Sequence, residues 1–550
     1  VVGIDPPGDA TVTFKDGPAW TCNAYGYLFQ TPGPGQPQEG QHLIQFIDLA
    51  TGEVADTETT SDGVNAVGYN PKDNYFYAWS GLHPVKIGSD GSLMALPVPT
   101  GMPQTNAVIG DFDSDGHYWT VGQGRIYYEI DYSDPASPTY GQLLDSGYMG
   151  DLPTNISRLS LDWVWINGSL YSTGENPAGN WVLIQYHLNG ANSSIENLGT
   201  WVGPDGPIVS NGANLGAMYA DPAGNLYVSN NESGEIYRIN TTTRQTINVA
   251  TGPASLNNDG ARCASAPIPT ITVTKTVESR VSPQDQFTVG LENAAGEVLT
   301  SATTSGTDTA ASTTDWPVSP NAQYTITDTT TAVSPNTIGA YDATVECRTV
   351  GGDPVDVAGS GPWTVTSSDT DAITCDVTNS AKPALQITKT SNATDATRMG
   401  DTVHYIVRAM NVGGADFTAD HPAEVIDDLT GVLDDASFDG TVTVTGSDVE
   451  ATYSEPQIKW AGPLASGDSV TLEYDVVLNK SGDQDVENVA FQPPPCDSGT
   501  CPPPTPPTRE DCASNNGYDP ATDLPCDGTN FLLPKLTVEK SSDDLATAEI

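Results

Sequence analysis

Basic residues are scarce in this 550-residue chain: Lys and Arg total 20 against 70 Asp and Glu, a formal net charge of −50. Such a field repels nucleic acid and anionic lipid, so neither is expected as a partner. Charged residues total only 16%, and no stretch has an amphipathic helical period. Thr, Ser, Gly, Asp and Asn are plentiful, which predicts an all-β protein. The length predicts three or four domains.

Long apolar runs are also missing. No run of 18 apolar residues exists in the sequence, so no membrane-spanning segment is expected. Residues 1–7 have no basic segment followed by an apolar core, so no signal peptide is expected in this chain.

Sequence motifs of common enzymes are missing as well. The chain has six histidines, with no HExxH pair, GxSxG elbow, Walker loop or dinucleotide fingerprint. Acidic residues are too numerous for any two to be singled out as an acid/base pair. We therefore expect no enzymatic turnover and no required cofactor, and a secreted hydrolase or lyase ranks third among the functions considered.

The eight cysteines form no paired zinc-type CxxC arrangement, which indicates disulfides and an oxidising exterior. Eight cysteines allow 105 pairings. The nesting of their positions suggests local pairs: Cys22–Cys263, Cys347–Cys375, Cys496–Cys501 and Cys512–Cys526.

Residues 1–265 contain a weak repeat of a strand, a turn and a strand, followed by an outer strand. The five paired strands lie at 19–30, 64–80, 106–121, 159–173 and 215–230. This spacing predicts an N-terminal β-propeller with five visible blades and room for a sixth in the irregular stretches. A Cys22–Cys263 bridge would close the ring.

One acidic motif in the propeller has two interpretations. Asp111, Asp113 and Asp115 alternate before Gly116, as in the opening of a calcium-binding loop. The closing glutamate is missing, however, since Gly122 lies at the twelfth position and Gln123 and Gly124 follow it. The alternative, an acidic hairpin turn, is favoured over a calcium site.

Two aromatic runs, at 75–79 and 163–165, also have two interpretations. Aromatic side chains can line a sugar-binding face. These alternate with period two, however, which favours the core of a blade.

Three similar strands place a lysine near their ends: Lys275, Lys389 and Lys540. The first two open stretches of alternating strands and polar turns that predict Ig-like β-sandwiches at 268–382 and 384–492. Residues 493–534, rich in Pro and Cys, suggest a stapled, semi-rigid joint. Residues 535–550 begin a further module, and their strand could complete the sheet of a neighbouring copy.

These stretches carry a family resemblance. Residues 268–382 resemble the collagen-adhesin B-type domains of Gram-positive pilins. Residues 384–490 resemble a conserved surface repeat, through Thr388-Lys389-Thr390, the Gly400 to Tyr405 segment, Asn411-Val412-Gly413 and Asn488-Val489-Ala490. The propeller is similar to those that precede such repeats in actinobacterial surface proteins.

The resemblance implies internal isopeptide bonds between a first-strand lysine and a last-strand asparagine, assisted by a buried carboxyl group. The residues implied are Lys275, Asn379 and Asp328 in the second domain and Lys389, Asn488 and Asp427 in the third; Lys540 would belong to the next module. Pilin domains usually have glutamate where Asp328 stands, which leaves its reach open. The alternative is edge lysines and turn asparagines.

Together these observations predict an extracellular structural protein of a bacterial cell surface: a filament, surface-layer or adhesin subunit with a propeller head on a rigid stalk. Its expected partners are copies of itself or other surface proteins. The rival interpretation is a lectin-like propeller that binds a surface glycan or a protein and is presented on the stalk.

Overall fold

The computed structural model describes residues 17–33, 37–160, 162–255, 258–480, 482–495 and 503–534. Strands dominate all three domains, and the one α-helix within these ranges has six residues. Among the described residues, no helix has the length and apolar character needed to cross a membrane. Cys496, Cys501, Lys540 and the strand expected after residue 535 lie outside these ranges.

The first domain is built from short strands separated by turns. They are β1 (Gly26–Gln30), β2 (His42–Ile47), β3 (Val54–Thr60), β4 (Asn65–Asn70), β5 (Tyr75–Ser80), β6 (His83–Ile87), β7 (Leu93–Ala95), β8 (Ile109–Phe112), β9 (His117–Val121), β10 (Ile126–Asp131), β11 (Leu143–Tyr148), β12 (Arg158–Leu159), β13 (Val164–Ile166), β14 (Ser169–Glu175), β15 (Trp181–His187), β16 (Ser194–Thr200), β17 (Val202–Gly203), β18 (Gly206–Pro207), β19 (Leu215–Ala220), β20 (Asn225–Asn230), β21 (Glu235–Asn240), β22 (Thr246–Thr251) and β23 (Asn258–Ala261).

Strands β17 and β18 pair only with each other, and the other strands form five antiparallel blades. The innermost strands β23, β4, β8, β13 and β19 contact one another in that order and return from β19 to β23, which closes a ring. The fold is therefore a five-bladed propeller, and the described residues contain no sixth blade. Separate apolar clusters fill the spaces between successive blades.

The first blade is completed from the far end of the domain. Strand β23 pairs with β1 across Tyr27↔Ala261 to Gln30↔Asn258, so residues 19–30 supply one strand and not the expected pair. The Cys22–Cys263 disulfide lies beside this junction, with Cα atoms 5.3 Å apart. Such a bridge restricts the unfolded chain over a long loop and holds the ring closed.

The second domain packs two sheets face to face. Its strands are β24 (Thr270–Val277), β25 (Phe287–Glu292), β26 (Val298–Thr303), β27 (Ala310–Ser312), β28 (Trp316–Pro317), β29 (Gln323–Thr330), β30 (Tyr341–Thr349), β31 (Pro354–Val355), β32 (Val357–Ala358), β33 (Trp363–Thr366) and β34 (Ile373–Ala381). One sheet contains β24, β27, β28, β30, β31 and β34, and the other contains β25, β26, β29, β32 and β33. The first strand, β24, pairs in parallel with the last, β34. Cys347 and Cys375 are directly opposite each other on β30 and β34 and form a disulfide.

The third domain is also a two-sheet sandwich. Its strands are β35 (Leu385–Ser391), β36 (Thr402–Asn411), β37 (Ala423–Asp428), β38 (Ala436–Phe438), β39 (Thr443–Thr445), β40 (Thr452–Ser454), β41 (Gln457–Gly462), β42 (Ser469–Leu478), β43 (Asp485–Phe491) and β44 (Cys526–Leu532). The first strand, β35, lies in a sheet with β36, β38, β39 and β42, whereas β43 lies in the facing sheet with β37, β40, β41 and β44.

The prediction of a stapled, semi-rigid joint at 493–534 is wrong for residues 503–534, which the structure describes as part of the third domain. Strand β44 pairs along the whole of β43, from Asp485↔Leu532 to Phe491↔Cys526. Helix α1 (Arg509–Ser514) begins with a capping box at Thr508. The Cys512–Cys526 disulfide, whose Cα atoms are 5.6 Å apart, ties the helix to β44. Residues 503–534 therefore extend the third sandwich, because β44 covers an edge that β43 would otherwise expose.

Candidate functional sites

The first candidate site, called here the first cluster, consists of Lys275, Asp328 and Asn379 in the second domain. Lys275 lies on β24 and pairs with Val377 of β34, two residues before Asn379. Alternate residues of a strand share a face, and both Lys275 and Asn379 are 0% exposed. Asp328 reaches over from β29 in the facing sheet, and its Oδ2 lies 2.9 Å from Lys275 Nζ.

The first cluster contains polar atoms that the fold leaves unpaired. Neither amide atom of Asn379 has a hydrogen-bond partner among the described residues, and the same is true of Asp328 Oδ1. The nearest aromatic group is the ring of Phe287, whose centroid lies 5.3 Å from Lys275 Nζ. Buried polar groups without partners are unusual in native proteins and require an explanation.

The second cluster consists of Lys389, Asp427, Asn488 and Tyr474 in the third domain. Lys389 Nζ lies 2.6 Å from Asp427 Oδ2 and 3.1 Å from the Tyr474 hydroxyl. That hydroxyl donates to Asp427 Oδ2 at 2.7 Å and accepts from Asn488 Nδ2 at 2.7 Å. The side chains of Lys389 and Asp427 are both 0% exposed, as is Asn488. A single hydroxyl therefore contacts all three other members.

Burial shifts the pKa of the lysine in the same direction in both clusters. Desolvation lowers the pKa of Lys275 and of Lys389, although the neighbouring aspartates oppose the change. Desolvation also raises the pKa of Asp328, against the effect of Lys275. The shifts favour a neutral amine beside a neutral carboxyl group in the first cluster.

The structure thus brings together both trios that the sequence singled out, and Asp328 is long enough to reach its lysine. Sequence analysis did not identify Tyr474. It named Tyr405 only as part of a family motif and gave it no role in the site; the ring of Tyr405 stacks on that of Tyr474 at a centroid distance of 5.4 Å. Both tyrosines lie on the buried face of their strands, where every second residue is a buried apolar one. Any core aromatic residue of a strand has this pattern.

The acidic motif of the propeller forms a hairpin turn between β8 and β9. Asp113 accepts hydrogen bonds from the backbone N–H groups of Asp115 and His117 within this turn, each at 2.9 Å. Asp111 accepts instead from the Trp165 N–H in the next blade, at 2.7 Å. The motif's three carboxylates do not converge on one point, so this arrangement favours the turn.

Two other groups of potential metal ligands are found among the described residues. Asp113, His117 and Glu129 form one, with His117 Nδ1 at 3.0 Å from Glu129 Oε1 and 3.3 Å from Asp113 Oδ2. The other is an acidic group on the third domain, at Asp434, Asp435 and Asp483. In the first, Asp113 Oδ2 also accepts from Trp119 Nε1 at 3.1 Å, so its hydrogen-bonding capacity is already used within the fold.

Three family models match separate parts of the chain. Residues 36–265 match a repeat of unknown function (DUF6923), residues 270–381 match a prealbumin-like fold domain, and residues 384–516 match a domain of unknown function (DUF7927). The third match runs past residue 492, in agreement with the extended third sandwich. No curated protein matches the chain.

Solved structures show distant similarity. The major pilin subunit of Bacillus cereus is 8% identical, with 48% of this chain and 68% of that chain covered and a TM-score of 0.23. The Swd1 β-propeller domain of Myceliophteria thermophila is 9% identical (50% and 77% covered, TM-score 0.26). Virginiamycin B lyase of Staphylococcus aureus is 10% identical (54% and 96% covered, TM-score 0.25). At these values the similarities do not bear on function.

Proposed function

We propose that this chain is an extracellular structural protein of a bacterial cell surface, a subunit of a filament, surface layer or adhesin. A propeller head is carried by two sandwiches, each locked by an internal amide bond between its first and last principal strands. The observation that carries the proposal is that a buried Lys, Asn and Asp come together in the core of each of the two sandwiches.

The locking step needs only groups that the clusters contain. A proton passes from the lysine ammonium to the aspartate, which leaves an amine and a carboxylic acid, the forms that burial favours. The amine Nζ attacks Cγ of the asparagine, and an Nζ–Cγ bond forms while the Cγ–Nδ2 bond breaks. The lysine ammonium begins with three protons and the product amide keeps one. Of the other two, one has moved to the aspartate and one leaves with Nδ2 as ammonia.

The remaining groups position the reactants and stabilise developing charge. The protonated carboxyl of Asp328 or Asp427 would donate to the asparagine Oδ1, which becomes negative as Nζ attacks. Fixed proximity in a packed core supplies much of the barrier reduction. In the second cluster Tyr474 also holds Lys389 and Asn488 through one hydroxyl.

Such bonds suit a chain that bears tension. A Lys275–Asn379 or Lys389–Asn488 bond carries a pulling force directly from the first principal strand to the last, so the strands between them are not loaded. Each bond would keep about 100 residues, or roughly 330 Å of extended chain, from being pulled out under force. Covalent restriction of the unfolded state also slows irreversible unfolding.

Single-molecule pulling on residues 268–534 with the cysteines reduced tests this function, since the Cys347–Cys375 disulfide would otherwise prevent the chain between these two residues from extending. We expect the native protein to show no extension from the chain between the linked residues. Lys275→Ala and Lys389→Ala should each release one additional length of roughly 330 Å. Lys459→Ala is the matched control, since Lys459 is an exposed lysine of the third domain. Full-length extension of the native protein would contradict the proposal.

A second candidate function, a propeller that binds a ligand, is favoured by a separate observation: a cavity on the propeller axis, lined by residues of all five blades.

A further inference from the structure

The propeller has a cavity of about 310 Å³ where its innermost strands begin. The residues that mark this position are the first residues of β4, β12, β19 and β23 and the residue that precedes β8: Asn65, Arg158, Leu215, Asn258 and Val108. Strand β12 and the inner strand β13 both pair with β14. All five blades thus contribute to one pit on the axis. Its volume is at the lower end of the range for small-molecule sites, which suits a compact ligand.

The inner strands are distorted at this cavity. The β4–β5 ladder shifts register between Asn65 and Gly68, and Ala66 has a φ of 57°. The β19–β20 ladder shifts between Leu215 and Ala217, which leaves Gly216 unpaired. Bulges of this kind re-aim side chains and are frequent beside functional sites.

Two amide side chains in the wall lack partners. Asn231 Oδ1 and Asn258 Oδ1 are buried acceptors with no hydrogen bond to the part of the chain that the structure describes. Both amides crowd Gly216: a Cβ atom there would lie 2.2 Å from Asn258 Oδ1 and 2.8 Å from Asn231 Nδ2. Only glycine at position 216 leaves room for the two amides. Their unpaired oxygens are shielded from solvent by the cavity wall, so a ligand that donates to them must turn the amides toward the cavity.

The cavity wall has few charged side chains, although the chain is strongly acidic. No Asp or Glu is found among the described residues that line it, although the chain has 70 acidic residues. Its one arginine, Arg158, is already engaged: Nη2 lies 3.0 Å from Glu175 Oε2, and Nη1 donates to Asn214 Oδ1 at 3.0 Å. The one histidine of the wall, His42, is also engaged, with Nδ1 at 2.8 Å from Thr31 Oγ1. A charged ligand therefore finds no free counter-charge, and a neutral polar ligand is preferred.

We infer that this cavity binds the terminal residue of a neutral saccharide. Each amide offers a donor and an acceptor, the combination that matches a sugar hydroxyl, which also donates and accepts. Apolar side chains in the same wall, such as Leu159 and Leu215, can pack against the C–H face of a pyranose ring. The aromatic runs do not line this cavity. Phe76, Tyr77, Trp79 and Trp163 are buried in the blades, and the half-buried Tyr75 and Trp165 are not among the described residues of its wall.

This inference rests on the second candidate function and is independent of the stalk. The probes are free glucose, galactose, mannose, N-acetylglucosamine, rhamnose and glucuronic acid. Binding to the full-length protein would be measured by ligand-observed NMR and calorimetry at millimolar concentrations. We expect at least one neutral sugar to bind and the uronic acid to bind more weakly.

Variants locate the site. Asn258→Ala and Asn231→Ala should each weaken binding of that sugar about tenfold, as expected for loss of roughly one hydrogen-bonding group. Asn248→Ala on the outer strand β22 is the matched control and should leave affinity unchanged, with thermal unfolding confirming that all three fold. Gly216→Ala, which fills the space between the amides, should also abolish binding.

Several outcomes would overturn the inference: no binding of any neutral sugar, a preference for glucuronic acid, or binding that survives Asn258→Ala and Asn231→Ala. Lys275→Ala and Lys389→Ala are expected to bind the sugar normally. Failure of the saccharide site and failure of the locked stalk are therefore seen in different experiments.

Discussion

The two sandwiches bring the same three side-chain types together by different topologies. In the second domain, Lys275 and Asn379 lie on adjacent parallel strands of one sheet, and only Asp328 comes from the facing sheet. In the third domain, Lys389 lies on one sheet, and Asp427 and Asn488 lie on the other. The chemistry therefore depends on three side chains meeting in a dry core, and not on one strand order.

The surroundings of the clusters differ as well. The first cluster has Phe287 beside its lysine and leaves both atoms of the Asn379 amide unpaired. In the second, the Tyr474 hydroxyl contacts the other three members. The comparison suggests that the carboxyl group is the essential assistant and that the tyrosine adds positioning in one domain only.

The largest expected effect comes from removal of the lysines. Lys275→Ala and Lys389→Ala each eliminate a crosslink that closes a loop of about 100 residues, worth roughly 4–5 kcal/mol in the unfolded state. Each also leaves a buried carboxyl group without its partner. Urea unfolding should show a loss of about 5 kcal/mol or more in the affected domain. A loss below about 1 kcal/mol, equal to that of Lys459→Ala, would show that no crosslink is present.

A smaller effect should distinguish the two domains. Tyr474→Phe removes a hydroxyl that bonds to charged groups, a contribution of about 1.5–3 kcal/mol. We expect amide formation in the third domain to slow roughly tenfold to a hundredfold, with the second domain of the same molecule unaffected. After cell-free synthesis, mass spectrometry at successive times would measure the decrease in mass that accompanies the loss of ammonia.

Tyr405→Phe is the control for that experiment. Its ring stacks on Tyr474, and its hydroxyl lies near Asn488 and Thr529, whereas the Tyr474 hydroxyl contacts Lys389 and Asp427. The rate should therefore change less than with Tyr474→Phe. Equal slowing by both substitutions would assign the effect of Tyr474 to packing and not to its hydroxyl.

The smallest expected effect concerns pH. Asn379→Ala prevents the crosslink and retains Lys275, whose folded pKa lies below its ordinary value of 10.5 because of burial. Between the folded pKa and 10.5 the unfolded chain binds more protons, so stability should rise as the pH increases through this window. The urea midpoint of the variant measures the rise. Asn379→Ala combined with Lys275→Met is the reference, because burial raises the pKa of Tyr324 and Tyr341 in the same domain and lowers the midpoint of both variants above about pH 10. A midpoint difference between the two variants that does not grow with pH would contradict the burial argument.

Much of the architecture was predictable because repetition is visible in sequence. Strand alternation indicated the propeller and both sandwiches, and Lys275 and Lys389 stood out because lysine is rare here. The first blade was misread because its inner strand, β23, comes from residues about 230 positions later. Strand β44 was missed because the proline-rich stretch before it is typical of a linker, and only pairing with β43 makes it a strand.

Parts of the sites were not predictable for related reasons. Tyr474 has the same alternating pattern as any core aromatic residue, so nothing local marks its hydroxyl as a contact of Lys389. The axial cavity is assembled from first residues of strands in five blades, and Asn231 and Asn258 are ordinary turn and strand-end residues in sequence. These residues come together only when the ring of five blades closes, which no local sequence pattern shows.

The most direct test of the locked stalk is the intact mass of the full-length protein with its cysteines reduced. Two crosslinks predict a mass lower than the sequence value by two molecules of ammonia, about 17 Da each. Peptide mapping should place the losses at Lys275–Asn379 and Lys389–Asn488, and each lysine variant should restore one. A mass equal to that of the unmodified sequence would contradict the central claim.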